Sequence, residues 1–467
     1  MGNPNEHPEQ AIRKFESMLQ TDDVYFFDSE DFEEIIHHYL GEGKTLLAKR
    51  ALEMGKAQHP QAIELKFLEI EILVSEDKLD QARMLIEEIE IFDPMNEELF
   101  IQKANILSKS DDHQGAIAIL NKALEFCPES FDVHSLLGLE YLYLDAFEEA
   151  IPHFATCLTL DSTDYASMYN LVYCYEFTEG YEEATSYLNN YLEQNPYSEV
   201  AWHQLGKMYV ALDKFQEALA AFDFAIISDD RFSGAYYEKG YVLEKLGRYN
   251  EAIENYEFCF EWDAPTPQAY LRIGYCHQKL GNHSLAEQYF YKTVHLDPLL
   301  DKGWLALTKH YFVRGDLLKA QEHINKALNI DGENALYWRR AAHIYHSLGE
   351  IEKADYAFEQ SIELGNFELN SYLKWVSIQL EQKDYSKASQ CLLEALEHHP
   401  EEEAALLFIK SGIHALLGER DEAQNTLCKA MRLDSSAADY FYFYFEEMSE
   451  LDWLKSYLEK KNTSGSA

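Results

Sequence analysis

Residues Ala201–Asp230 read "AWHQLGKMYVALDKFQEALAAFDFAIISDD". Ala218, Phe222 and Ala225 stand at i, i+4 and i+7, a spacing that puts small, large apolar and small side chains on one helical face. Small residues let two helix axes approach, and the large neighbour fills the gap beside them. Twelve positions before Ala218 stands Gly206, on a second helical segment. The stretch therefore reads as two short helices packed against each other.

The same pattern recurs along the chain. Its alanine returns at Ala48, Ala82, Ala116, Ala150, Ala184, Ala218, Ala252, Ala286, Ala320, Ala354 and Ala388, always after 34 residues. One further step of 35 reaches Ala423, so a single inserted residue accounts for the last shift of register. Four positions after each alanine a large apolar residue stands in all twelve copies, from Leu52 to Leu427. Six copies carry a proline twelve positions after the alanine: Pro60, Pro94, Pro128, Pro196, Pro298 and Pro400. Proline ends the second helix because it lacks a donor and clashes with the preceding turn. Between the helices lies a turn rich in Leu-Gly and Asp, as in "KLGRYNEA" (Lys245–Ala252), where a left-handed glycine stops the first helix.

Trp202, Leu205, Gly206 and Tyr209, followed by Ala218, Phe222 and Ala225, resemble the signature of the tetratricopeptide repeat (TPR) family. The resemblance covers residues 29–437 as twelve repeats. It implies an all-α fold: a right-handed superhelical α-solenoid of stacked helix-turn-helix units, one continuous array with no second domain. The ends depart from the pattern, with Ile35 and Ile36, then Glu69 and Ile70, where Leu-Gly is usual. Terminal repeats of a solenoid are atypical because they cap an otherwise exposed apolar face. Residues 1–28 are expected to form an N-terminal flanking helix and cap, with Gln10–Leu19 helical. Residues 438–461 are expected to add capping helices, "ADYFYFYFEEM" and "DWLKSYLEKK", and 462–467 a disordered tail.

Composition narrows the function classes. With 39 Lys and Arg against 83 Asp and Glu, the formal net charge is −44. That excess argues against nucleic-acid binding and against an anionic membrane surface, since both rest on Lys and Arg. A content of 47% apolar and 14% aromatic residues argues against disorder. Seven cysteines without a CxxC pair do not form a disulfide framework. No secretory h-region and no run of about 18 apolar residues is visible, which points to a cytoplasmic protein.

Three motifs invite a chemical reading. Gly43-Lys44-Thr45 could close a phosphate-binding loop, but the required earlier glycine falls on His38, and Gly43 occupies the turn slot of Gly247, Gly281, Gly315, Gly349 and Gly418. Cys157 and Cys259 share one repeat slot and Cys174 and Cys276 another, as small buried hydrophobes do. His343 and His346, with His310 one repeat earlier, lack a third ligand at matching spacing, so no metal site is expected. No cofactor and no catalytic set are expected; the chain reads as a non-enzyme.

Function should then lie on the concave surface, which the resemblance assigns to repeat positions 2, 5, 9, 12 and 13 of each first helix. Those positions hold the aromatics Tyr143, Tyr169, Tyr173, Phe177, Tyr237, Tyr241 and Tyr275. They also hold Lys207, Lys245, Lys279, Lys302, Lys309 and Arg339, a basic set out of proportion in so acidic a chain. Tyrosine offers amphipathic contact area at low entropic cost, and Lys and Arg meet carboxylates. The expected partner is a protein or extended peptide segment carrying acidic and apolar groups; the rival use of the tyrosines is packing between helices. The carboxylate clamp of co-chaperone family members is absent: position 5 is never Lys, and Arg339 is followed at position 9 by His343 in place of Asn. The expectation is a non-catalytic scaffold, with a peptide- or ligand-sensing regulator or an accessory subunit of an enzyme complex as alternatives.

Overall fold

A computed structural model describes residues 6–20, 25–446 and 448, with side chains from residue 10 onward. Among these residues there is no strand. After a first helix, Glu6–Gln20, the chain forms twelve consecutive helix pairs and one further short helix, Asp439–Phe445. We name the two members of each pair helix A and helix B. Helix A begins at Ser29, Ile63, Glu97, Phe131, Tyr165, Glu199, Ser233, Pro267, Asp301, Ala335, Leu369 and Glu403, a constant step of 34. The final helix B begins at Arg420, 35 residues after its predecessor at Tyr385. The inserted residue is therefore taken up within helix A of repeat twelve (Glu403–Leu416), which is entered from a 3-10 turn at Pro400–Glu402. No helix of the described residues is long and apolar enough to cross a membrane.

The phased residues form the core. Every phased alanine is buried, and so is every large residue four positions later. Helices A and B of one repeat meet where the small residue of A faces the large residue of B. A Cβ built on Gly138 would lie 2.6 Å from the Phe154 ring, and one on Gly274 2.6 Å from Phe290. Such close approach explains why glycine occupies this slot next to phenylalanine. Successive repeats are tied by the tryptophan of the signature. The indole N–H of Trp202 donates to the Pro196 carbonyl at 2.9 Å, and that of Trp304 to Pro298 at 2.9 Å. Each bond pins helix A to the turn that precedes it.

The chain divides into two compact units, Met1–Val242 and Leu243–Ala467. In the first, the Glu6–Gln20 helix lays Ala11, Phe15 and Met18 onto Phe32, Ile35, Ile36 and Tyr39 of repeat one. Ile35 and Ile36 depart from the Leu-Gly pattern because an extra helix covers them. In the second, Asp439–Phe445 buries Phe441 and Phe445, the latter against Gly412 of repeat twelve. The expected helix at 452–461 and the tail at 462–467 lie outside the described residues.

The Gly43-Lys44-Thr45 stretch is the first A-to-B turn. Gly43 has φ +70°, the Lys44 N–H donates to the Tyr39 carbonyl at 2.8 Å, and helix B starts at Thr45. The Lys44 ammonium sits 2.6 Å from the Glu42 carboxylate on the same turn.

Candidate functional site

The helix A faces carry different chemistry in the two units. In the first unit Tyr143, Tyr169, Tyr173 and Phe177 are all exposed, Tyr143 to 65% and Phe177 to 58%. Tyr173 and Phe177 are one turn apart on helix A of repeat five (Tyr165–Phe177), with ring centroids 4.6 Å apart. Phe147, at the start of helix B of repeat four, stacks on Phe177 at 4.8 Å and meets Tyr173 edge-on at 6.0 Å. The three rings form an apolar platform that water still reaches. Beside it, Lys207 pairs with Glu176 at 3.1 Å. Tyr237 and Tyr241 are half-buried further along the unit.

Tyr143 stacks on His113 at 4.9 Å, and the His113 Nδ1 lies 2.9 Å from the buried carboxylate of Glu140. These residues wall a cavity of about 660 Å³ that also includes Gln102 and Asn105. The Gln102 amide donates to Glu98 at 2.7 Å. Burial, above all, pushes the Glu98 carboxyl up from its ordinary value.

The second unit holds Lys245, Tyr275, Lys279, Lys302, Lys309 and Arg339. Lys245, Lys279 and Lys302 are exposed. Tyr275 is half-buried and meets Phe290 edge-on at 5.3 Å, with burial pushing its hydroxyl pKa up. Lys309 and Arg339 belong to a denser group. Arg339 ion-pairs with Glu368, while Lys309, Arg340 and Lys374 have no ion-pair or hydrogen-bond partner among the described residues. Burial lowers the Lys309 pKa, and Arg340 lowers it further. His343, between these cations, is held down to about 4 by burial and then by Arg340, Lys374 and Arg339.

Sequence position alone misses Arg340 and Lys374. Both stand at repeat position 6, outside the positions that the family resemblance assigns to the concave face. The Arg339-Arg340 doublet in an acidic chain was the available signal. The expected capping helix forms at Asp439–Phe445, but its place in a site is equally missed: its Tyr440, Phe443 and Tyr444 share a cavity of about 710 Å³ with Arg339, His343 and Lys374.

Burial raises the thiols of Cys174 and Cys259 to about 11 and that of Cys276 to about 12. A thiol held that high is a poor nucleophile at neutral pH. Among the described residues no group of three or more His, Cys, Asp or Glu is placed to hold a metal ion.

Sequence profiles of the tetratricopeptide repeat match residues 203–257, and 97–130, 267–298 and 335–364. The chain belongs to the tetratricopeptide repeat family, a family of protein-interaction scaffolds. A 69-residue stretch is 36% identical to the BBSome complex member BBS4 of Bos taurus, covering 15% of this chain and 13% of that protein's length. The crystal structure of the APC/C hetero-tetramer Cut9–Hcn1 aligns with a TM-score of 0.40 and 17% identity, over 91% of this chain and 94% of that one. A tetratricopeptide repeat protein from Parabacteroides merdae aligns with a TM-score of 0.37 and 16% identity, over 58% and 93%.

Proposed function

We propose that the chain is a non-catalytic scaffold that holds an extended segment of a partner protein, with acidic and apolar groups, along its helix A faces. The observation that carries this reading is the platform of Phe147, Tyr173 and Phe177. Rings whose task was only packing between helices would be covered, as Phe154 and Phe222 are, yet Tyr173 and Phe177 remain exposed. Exposed clustered aromatics supply contact area with little ordering entropy. The bovine relative is a member of a protein complex, and a subunit that holds other chains is the kind of role proposed here.

The test is affinity capture from lysate with wild type and Tyr173→Ala/Phe177→Ala. Both positions are exposed, so the variant should keep its helical circular dichroism and its melting temperature. We expect it to lose the partners that wild type recovers. Recovery of the same partners in the same amounts by the folded variant would sink the reading.

A further inference from the structure

The second unit is acidic like the rest of the chain, yet it carries three cations that folding does not pair. Lys309, Arg340 and Lys374 lie on helix A of repeats nine, ten and eleven (Asp301–Val313, Ala335–Ser347 and Leu369–Gln382). They stand at repeat positions 9, 6 and 6, three residues apart and so on one helical face. None has an anionic partner among the described residues, although the chain holds more than twice as many acids as bases. Lys309 and Arg340 are half-buried, where an unpaired cation is costlier than at the surface. Their proximity shows in their mutual repulsion: after burial, Arg340 lowers the Lys309 pKa, and Arg340 and Lys374 lower that of His343. Two carboxylates lie at the rim of the cavity, Glu368, which is taken by Arg339, and the exposed Asp439.

The other wall is aromatic. Phe441 and Phe445 anchor the Asp439–Phe445 helix in the core, and the Tyr444 hydroxyl donates to the Leu373 carbonyl at 3.3 Å. Tyr440, Phe443 and Tyr444 face the cavity, and Phe443 is 80% exposed. An anchored helix with an exposed phenylalanine beside the unpaired Lys374, at the end of the cation row, is built for a ligand with both kinds of group.

The spacing selects among anions. Packed helices lie roughly 10 Å apart, so the three cations form a row and not a point. An extended chain in the polyproline II conformation rises about 3.1 Å per residue with three residues per turn, so every third side chain falls on one face and matches that step. A single compact dianion would meet one or two of these cations and leave the rest unpaired. We propose that the row Lys309, Arg340 and Lys374 and its adjoining cavity hold an extended acidic segment of a partner protein. Its carboxylates are spaced about three residues apart, and an apolar side chain at one end lies against Tyr440, Phe443 and Tyr444. This deepens the scaffold reading and rests on it.

The experiment is fluorescence anisotropy on the full chain. The probe is a labelled, amidated twelve-residue peptide with Glu at every third position and a terminal Trp. Controls are the same peptide with Gln for Glu, one with a single phosphoserine in place of all the Glu, and one copying residues 449–467. We expect the Glu peptide to bind, to weaken as salt is raised, and to lose about tenfold in affinity with Arg340→Gln/Lys374→Gln. Phe443→Ser should weaken it several-fold. Both Lys374 and Phe443 are exposed, so single variants there stay folded even if the Arg340 change does not. Equal binding of the Gln peptide, or unchanged affinity in both Lys374→Gln and Phe443→Ser, would overturn the proposal. Tighter binding of the phosphoserine peptide or of the 449–467 peptide would also overturn it, assigning the cavity to a phosphate or to the chain's own end. If the Glu peptide fails while Tyr173→Ala/Phe177→Ala still loses its lysate partners, the scaffold reading stands and only this assignment falls.

Discussion

At position 15 of the repeat, the first unit places Asp77, Asp111, Asp145, Glu179 and Asp213, with φ between +54° and +62°. The second places Gly247, Gly281, Gly315 and Gly349 there, and Gly418 one residue later after the insertion, with φ between +75° and +80°. Gly43 in the first unit and Lys383 in the second are the exceptions. The hydrogen bonds that close the turn are the same in both. The Asp213 N–H donates to Val210 at 3.1 Å and that of Lys214 to Tyr209 at 2.8 Å, while Gly281 donates to Gln278 at 3.1 Å and Asn282 to His277 at 2.9 Å. The left-handed conformation is thus imposed by the packing of helix A on helix B and not by the residue in the turn. A side chain held there carries strain of about 1–2 kcal/mol, which glycine avoids. The first unit accepts that strain five times, and its repeats still pair with the same geometry.

The sharpest test of this equivalence is the core. Phe222→Ala in the first unit and Phe290→Ala in the second should each cost about 3–5 kcal/mol, because each removes a fully buried ring seated on a helix A glycine. Denaturant unfolding followed by circular dichroism would measure both. A markedly smaller loss in one unit would show that the two are not packed alike.

The next effect is a pH dependence shared by the two units. Burial, first of all, holds His203 in the first unit and His323 in the second down to about 4. The unfolded chain, with histidines near 6.5, binds more protons between these values. Stability from these groups is therefore complete above pH 6.5 and falls as pH drops toward 4. His203→Met and His323→Met should each flatten the fall of melting temperature between pH 6.5 and 4. Slopes equal to wild type would remove the buried imidazoles as its cause.

The smallest effects fall on the turn itself. Gly281→Ala should destabilise by about 1 kcal/mol, since alanine must adopt φ near +78°. Asp213→Gly should stabilise, by less than about 1 kcal/mol, because relief of strain is partly offset by the freedom glycine gives the unfolded chain. If both substitutions shift stability in the same direction, strain is not what separates the two sets of turns.

Much of the fold was legible because it is local spacing repeated. The 34-residue phase marks every helix start, and the inserted residue before Ala423 falls in repeat twelve, where its helix A begins on phase and its helix B one residue late. Less was legible in the turns, where Asp and Glu take the conformation of glycine without its sequence mark. Least was legible in the candidate site. Tyr143, Tyr169, Tyr173 and Phe177 could be picked out by repeat position, but Phe147, which completes their platform, sits on a helix B. Arg340 and Lys374 occupy a position that the resemblance leaves out.

The sequence by itself determined the helices, their pairing and their core, since residues three, four and seven apart share a helical face whatever surrounds them. Only the tertiary structure decided which surface residues converge. Lys309, Arg340 and Lys374 are about one repeat apart in sequence, and Phe443 lies about 70 residues beyond Lys374. Bringing Lys374 and Phe443 to one cavity depends on how the last helix packs on repeats eleven and twelve, which no one-dimensional period records.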